Sequence, residues 1–381
     1  MICAPDHRSE ALMALPKFTI GIEEEYQIID PETRELRSFV QEFLEQGRLV
    51  LKDQIKPEQL QSQIEVGSKI CHSIAEAREE LARLRRTVRD VARDNGLVIA
   101  AASTHPFSRW TDQEVTPNER YVKHQTEMAE LARRLLVFGM HVHVGIADRD
   151  LMIDVMDQAR YFLPHLLALS TSSPFWHGRE TGLKSYRSVV FGALPRTGPP
   201  PAFSSWYEHE EFVDTLVRTR CIEDATRIWW DIRPHPKFPT LEFRVCDLGT
   251  RLDDAVCLAS LILALVAKLV LLRERNQSWR RYRHHLIEEN KWRAVRWGVE
   301  GHLLDFGRRT EVPMSDLVEE LIEWLDDVVD DLGVRHEVAH ARTICAEGTS
   351  ADRQLAVYRE TGDLKAVVDH LVAETAAGLD P

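Results

Sequence analysis

The chain has 381 residues, of which 48 are Lys or Arg and 61 are Asp or Glu, for a formal charge of −13. With 44% hydrophobic and 29% charged residues it has the composition of an ordinary folded protein. The acidic balance argues against a surface that neutralises nucleic-acid phosphates or anionic lipid, so neither nucleic acid nor membrane is expected as a partner.

Residues 1–16 place Asp6, His7, Arg8 and Glu10 where a signal peptide needs an apolar core. They read as a loose leader, with folding beginning near Phe18 and residues 17–381 forming one domain. FTIGIEEEYQII (18–29) alternates with a period of two and predicts a strand. Ser73-Ile74-Ala75-Glu76 has the spacing of a capping box. Ile74, Leu81, Leu84, Val88 and Val91 then share one helical stripe, which Asn95-Gly96 ends. A short strand follows at 97–103. Thr116-Pro117-Asn118-Glu119 predicts another helix start, with Pro117 at the first helical position. LLVFGMHVHVGI (135–146) alternates again, and 152–169 predicts a helix. The Pro-rich 195–203 reads as a rigid surface loop. RIWWDIR (227–233) and TLEFRVCD (240–247) are further strands, and 314–332 a further helix.

The apolar run 255–272 is shorter than the roughly 20 residues a bilayer requires, and Lys268 sits inside it. It predicts a helix buried on all sides. The six cysteines form no CxxC pair, which disfavours a disulfide framework or a Cys-based zinc site; they read as mostly buried free thiols of a cytoplasmic protein. With no repeat and no Gly/Ser linker, the pattern points to one α+β domain on a mainly antiparallel sheet.

The chemistry concentrates on strand faces. Side chains alternate along a strand, so Glu23 and Glu25 share a face about 7 Å apart, while Ile20, Ile22, Tyr26 and Ile28 share the other with Glu24. His141 and His143 pair in the same way, as do Glu242 and Arg244. A wet sheet face usually carries Lys, Thr, Ser and Gln; paired like charges repel unless a cation or partner sits between them. Carboxylate-dominated ligation favours Mg²⁺, or Mn²⁺, over zinc, and arginine beside it suits a bound phosphate or carboxylate. Glu58 and Glu65 stand seven apart, a spacing for the ends of one extended segment or two turns of a short helix. Glu65 is the better ligand candidate, flanked by Ile64 and Val66, and Glu58 reads equally as a solvated acid. There is no P-loop and no GxGxxG turn, so any nucleotide must be held by metals and arginines. His-x-His on a strand also serves metal-dependent amide hydrolases, which is the alternative reading.

GIEEEYQIIDPET, GMHVHVGI, PRTGPPPAF, WWDIRPHPKFPTLEFRVCD, ENKWRAVRWGVEG and GTSADRQLAVYRETGDL, in that order, resemble the type 2 glutamate–cysteine ligase family, bacterial carboxylate–amine ligases of the glutamine synthetase superfamily. The resemblance runs from about residue 18 to 374. It implies an antiparallel sheet curled into an open funnel with helices packed outside, like the catalytic domains of glutamine synthetase and guanido kinases. ATP and more than one Mg²⁺ (or Mn²⁺) are the implied cofactors, with glutamate and an amine such as cysteine as substrates and a homodimer possible by family likeness. By motif match, Glu23, Glu25, Glu65, His141, Glu242 and less directly Glu58 are implied metal ligands, and His143 an ATP-phosphate contact. Arg244 and Arg233 are implied to bind phosphate or substrate carboxylate. Arg187, Arg196, Lys291, Arg293 and Arg296 read either as anionic-ligand contacts or as surface salt bridges. The implied reaction joins the γ-carboxylate of glutamate to an amine through a γ-glutamyl phosphate; a different amine is left open.

Overall fold

Every alternating segment that carries acids or imidazoles enters one sheet. The computed structural model describes residues 16–380. Apart from Pro16, the leader expected at 1–16 lies outside that range, as does Cys3. Seven strands form the sheet: β1 (Ile20–Ile29), β2 (Ile55–Pro57), β3 (Gln63–Gly67), β4 (Val98–Ala100), β5 (Met140–Gly145), β6 (Ile232–Pro234) and β7 (Thr240–Phe243). Their order is β6-β7-β5-β1-β3-β2, with β4 also on β1, and each pairing is antiparallel. Helices pack against the sheet, so the fold is α+β with an antiparallel sheet, as the alternation predicts.

Burial explains the choice of face. Ile22, Tyr26, Ile28, Ile64, Val66, Val142, Val144, Leu241 and Phe243 are all buried in one continuous core. They pack toward α2 (Ile74–Asp94) and α7 (Leu252–Glu274). The apolar 255–272 run lies within α7, and 94% of its most apolar 18-residue window is buried. Lys268 is tolerated there because its ammonium reaches Asp327 at 2.6 Å and lies over the Trp324 ring. Among the described residues the cysteines are free; Cys71, Cys246 and Cys257 are buried, Cys345 is half-buried and Cys221 is exposed.

Local details depart from the sequence pattern for identifiable reasons. The Ser73 hydroxyl caps α2 by accepting from Glu76 N–H at 3.1 Å, but the Glu76 carboxylate takes the N–H of His72 rather than that of Ser73. Asn118, not Thr116, caps α3 (Glu119–Met128), so Pro117 lies before the helix instead of inside it. The 152–169 helix is two: α4 (Arg149–Ala159) and α5 (Leu163–Ser170), separated by a 3₁₀ turn at Arg160–Phe162. Pro164 lacks an N–H and crowds the preceding turn, so it suits a new helix start and not a helix interior. Residues 227–233 also divide. Trp229–Trp230 pairs in parallel with Thr197–Gly198, and only Ile232–Pro234 joins the main sheet.

Candidate active site

Strand register assembles the polar face. Glu23 lies opposite His141, and His143 opposite Glu242, which in turn faces Arg233. On the other flank Glu25 faces Glu65, and Glu65 faces Lys56. The seven-residue spacing of Glu58 and Glu65 therefore reflects a hairpin, neither one extended segment nor a short helix. β2 and β3 are antiparallel partners, and Glu58 follows directly after β2.

The result is two acidic clusters in one cleft of about 530 Å³. Glu23, His141 and Glu242 bring ligand atoms within 4.8 Å of one another, and so do Glu25, Glu58 and Glu65. Neighbouring acids on one strand face are thus divided, one to each cluster. Lys56 spans the gap, 2.9 Å from Glu65 and 3.8 Å from Glu23.

The clusters differ electrostatically. In the first, His141 Nδ1 is 3.3 Å and His143 Nε2 3.7 Å from Glu23. Burial alone would raise the Glu23 carboxyl, but these two imidazoles hold it well below the usual range. Burial and the Arg244 charge push His141 down to about 4. Arg233 grips Glu242 with two nitrogens at 2.7 and 3.3 Å, and Arg244 donates to it through one at 2.6 Å. Against the cost of burial, these arginines hold Glu242 ionised. In the second cluster, burial and then the Glu65 charge push Glu25 up to about 7. Burial, then Glu65 and Glu25, push Glu58 well above the carboxylate range.

Gly139 positions the second cluster. Its N–H donates to Glu25 at 2.8 Å, and a Cβ there would meet the Arg187 guanidinium at 2.8 Å and His141 at 3.2 Å. Only glycine allows both side chains to approach. Arg187, on α6 (Tyr186–Gly192), is 4% exposed; it donates to the Arg244 carbonyl at 3.3 Å and lines the cleft. Ser185 caps α6 and also donates to the buried Asp247 carboxylate, which takes the Ser173 hydroxyl as well. Arg196 stands behind the cleft wall, its guanidinium over the Trp229 ring at 5.5 Å. Lys291, Arg293 and Arg296 lie on α8 (His284–Trp297) and do not line the cleft. Lys291 pairs with Asp231, and Arg293 with Glu289 and Glu311, while Arg296 covers Trp297.

Several cleft residues were not singled out by the sequence: Lys56, Arg120, Tyr121 and His124 carry no motif signal, and Arg227 and Trp229 lie in a segment read only as a strand and a family motif. Lys56 is placed by β2, and the others depend on α3 and the 225–230 segment folding over the sheet. His235, Lys237 and Phe238 were legible in principle, since the turn between two site-bearing strands must lie at the rim.

The donor sets suit hard divalent cations. Three converging carboxylates, two of them with pKa values raised by burial and by one another's charge, mark a place where a cation removes repulsion, and an all-oxygen set matches Mg²⁺ or Mn²⁺ chemistry. Several buried nitrogens at the cleft also lack partners: His143 Nε2, Arg187 Nε and Arg244 Nε.

The family model for glutamate–cysteine ligase family 2 matches residues 19–370. The chain belongs to glutamate–cysteine ligase family 2. A relative from Roseiflexus castenholzii, provisionally named glutamate–cysteine ligase 2, is 56% identical over 95% of this chain and 96% of its own. One from Solibacter usitatus with the same provisional name is 50% identical over 96% and 95%. Among solved structures, glutamate–cysteine ligase from Francisella tularensis in complex with AMP superposes with a TM-score of 0.71 at 14% identity. That match covers 96% of this chain and 90% of the other. A bifunctional glutathione synthetase from Pasteurella multocida gives a TM-score of 0.69 at 15% identity, over 95% of this chain and 52% of that one. At such identities the structural matches speak for the fold. The resemblance read from the motifs is borne out, and family membership sets the hydrolase alternative aside.

Proposed function

We propose that this protein is an ATP-dependent glutamate–cysteine ligase, forming γ-glutamylcysteine with release of ADP and phosphate. The observation that carries the reading is the division of Glu23 and Glu25 between two cation-competent clusters within one cleft. Glu23, His141 and Glu242 would hold one Mg²⁺, and Glu25, Glu58 and Glu65 a second, with Mn²⁺ able to replace either. Such ions supply screening between a triphosphate and a carboxylate that otherwise repel.

A carboxylate is a poor acyl donor because its oxygen leaves badly. A bond forms from its oxygen to the γ-phosphorus while the bond from that phosphorus to the β,γ-bridging oxygen breaks, releasing ADP and leaving a γ-glutamyl phosphate whose leaving group is phosphate. The amine then attacks the acyl carbon, loses a proton and expels phosphate. This chain's own residues align and neutralise the partners. The Thr240 hydroxyl lies 3.2 Å from His143 Nδ1; when that hydroxyl donates, Nε2 carries the ring proton and can donate it to a phosphate oxygen. Arg233 and Arg244, already at the first cluster, add fixed positive charge where negative charge develops. With His235 and Lys237 beside it, the first cluster faces the triphosphate, and the second faces the glutamyl carboxylate. The sheet would then form the wall of a funnel around both.

Phosphate release with ATP, Mg²⁺ and glutamate tests the proposal. Release is expected only when an amine is added, with cysteine the preferred one. Preference for another amine keeps the ligase and changes the acceptor; no release with any amino acid or simple amine defeats it.

A further inference from the structure

The end of the cleft beside Glu58 holds basic and aromatic side chains that the reaction above leaves unused. There α3 lies across the turn after β2. The Tyr121 hydroxyl donates to the Pro57 carbonyl at 2.7 Å and the Thr116 hydroxyl to the Glu58 carbonyl at 2.6 Å. The Gln59 amide nitrogen donates to the Ala132 carbonyl, so its oxygen accepts from His124 Nδ1–H at 3.0 Å. That fixes the tautomer: Nε2 of His124 carries a lone pair. Yet Nε2 is buried without a partner, in a residue only 8% exposed that lines the cleft. A buried acceptor left unpaired is costly unless a ligand supplies the donor.

Three arginines surround this imidazole. Burial and the charges of Arg227, Arg120 and Arg196 bring its pKa down to about 4, so it stays neutral and accepting. Arg120 and Arg227 line the cleft; Arg227 is buried and held by Glu223 at 3.3 Å, with Glu127 at 4.0 Å. The Trp229 ring lies 5.4 Å from that of His124. Guanidinium for a carboxylate, a neutral imidazole acceptor for an ammonium and an indole beside both together match the head group of an α-amino acid.

We infer that this end of the cleft binds the α-amino-acid head group of the glutamyl donor, Arg120 and Arg227 taking its α-carboxylate and His124 its ammonium. The inference rests on the proposed ligase reaction. The donor needs such a subsite more than the acceptor does. Its reactive carboxylate is repelled by the triphosphate, so binding energy must come from the remote end, which also fixes the carboxylate for attack.

The test compares L-glutamate with 4-aminobutanoate, which keeps the reactive carboxylate and the amine but lacks the α-carboxylate. Arg120→Ala removes an exposed side chain, and Arg227→Lys keeps the charge but loses the planar fork. Each variant should raise the KM for glutamate by roughly 10- to 100-fold, the range of a lost charge-assisted hydrogen bond. KM for ATP and cysteine should hold, and 4-aminobutanoate should be used equally poorly by wild type and variants. Calorimetric titration of L-glutamate should show the same loss of affinity. An unchanged glutamate KM in both folded variants, or a rise confined to cysteine, overturns the inference while leaving the ligase intact. Absence of glutamate-dependent phosphate release in the wild type with every amine overturns the ligase reading and this one with it.

Discussion

Two clusters of three side chains share one strand and one cleft, yet they solve the problem of crowded acids in opposite ways. The Glu23–His141–Glu242 cluster is compensated from within, by two arginines and by hydrogen bonds from imidazoles, and its acids stay ionised. The Glu25–Glu58–Glu65 cluster has one lysine at its edge, and two of its acids hold protons instead. The difference teaches that the second cluster is the one whose charge state depends on a cation arriving. A bound ion there competes with protons, while at the first it competes with arginines.

The largest expected effect tests the first cluster. Glu23→Gln should lower turnover about a thousandfold or more, since it removes a charged ligand while leaving its size. Its melting temperature should stay within a few degrees of wild type. Unchanged turnover takes Glu23 out of the site. Next comes the glutamate between the two. Glu24 points to the opposite face, fully buried, where Arg85 pairs with it and also donates to the carbonyls of Thr250 and Gly249 at 2.7 and 2.8 Å. Arg85→Ala leaves that carboxylate buried and unpaired, which should cost about 3–5 kcal/mol in urea unfolding. A loss below 1 kcal/mol would mean that water reaches the pair.

The smallest effect sharpens the second cluster. The folded pKa of Glu25 lies above the unfolded value, so the folded state binds the extra proton. Stability of the metal-free protein is therefore fullest below pH ~4.5 for this group, and falls as pH rises toward about 7. The window corresponds to a loss on the order of 3 kcal/mol. Glu58→Gln replaces a carboxyl whose ionisation burial and neighbouring acids oppose, so it should raise metal-free stability at pH 8 by about 1 kcal/mol, while weakening the response to Mn²⁺. A destabilised Glu58→Gln protein, or one with unaltered Mn²⁺ response, would break the contrast between the clusters.

Much of this was legible because a strand has a period of two. Once Glu23, Glu25, His141, His143, Glu242 and Arg244 lie on alternating segments, the face is set, and antiparallel pairing brings them together. What alternation does not carry is register between distant strands, so the split of Glu23 from Glu25 was out of reach. The Glu58–Glu65 hairpin was hidden as well, since its turn holds no Gly or Asn signal. Arg85 lies on a helix whose apolar stripe gave no hint of a buried ion pair. Arg120 and His124 sit on a helix with few buried positions, where charge reads as solvated surface until the fold places it over the cleft.

The core helix α7 has a bearing on how the chain is made. Its lining includes helices encoded well after it, at Asp326–Leu332 and Arg335–Ala339. While a ribosome is still adding those residues, a segment of mean hydropathy 2.7 has no complete shelter. Over that interval part of its apolar surface faces water. The late helices complete the burial that the earlier elements begin, and so turn a membrane-like sequence into an interior.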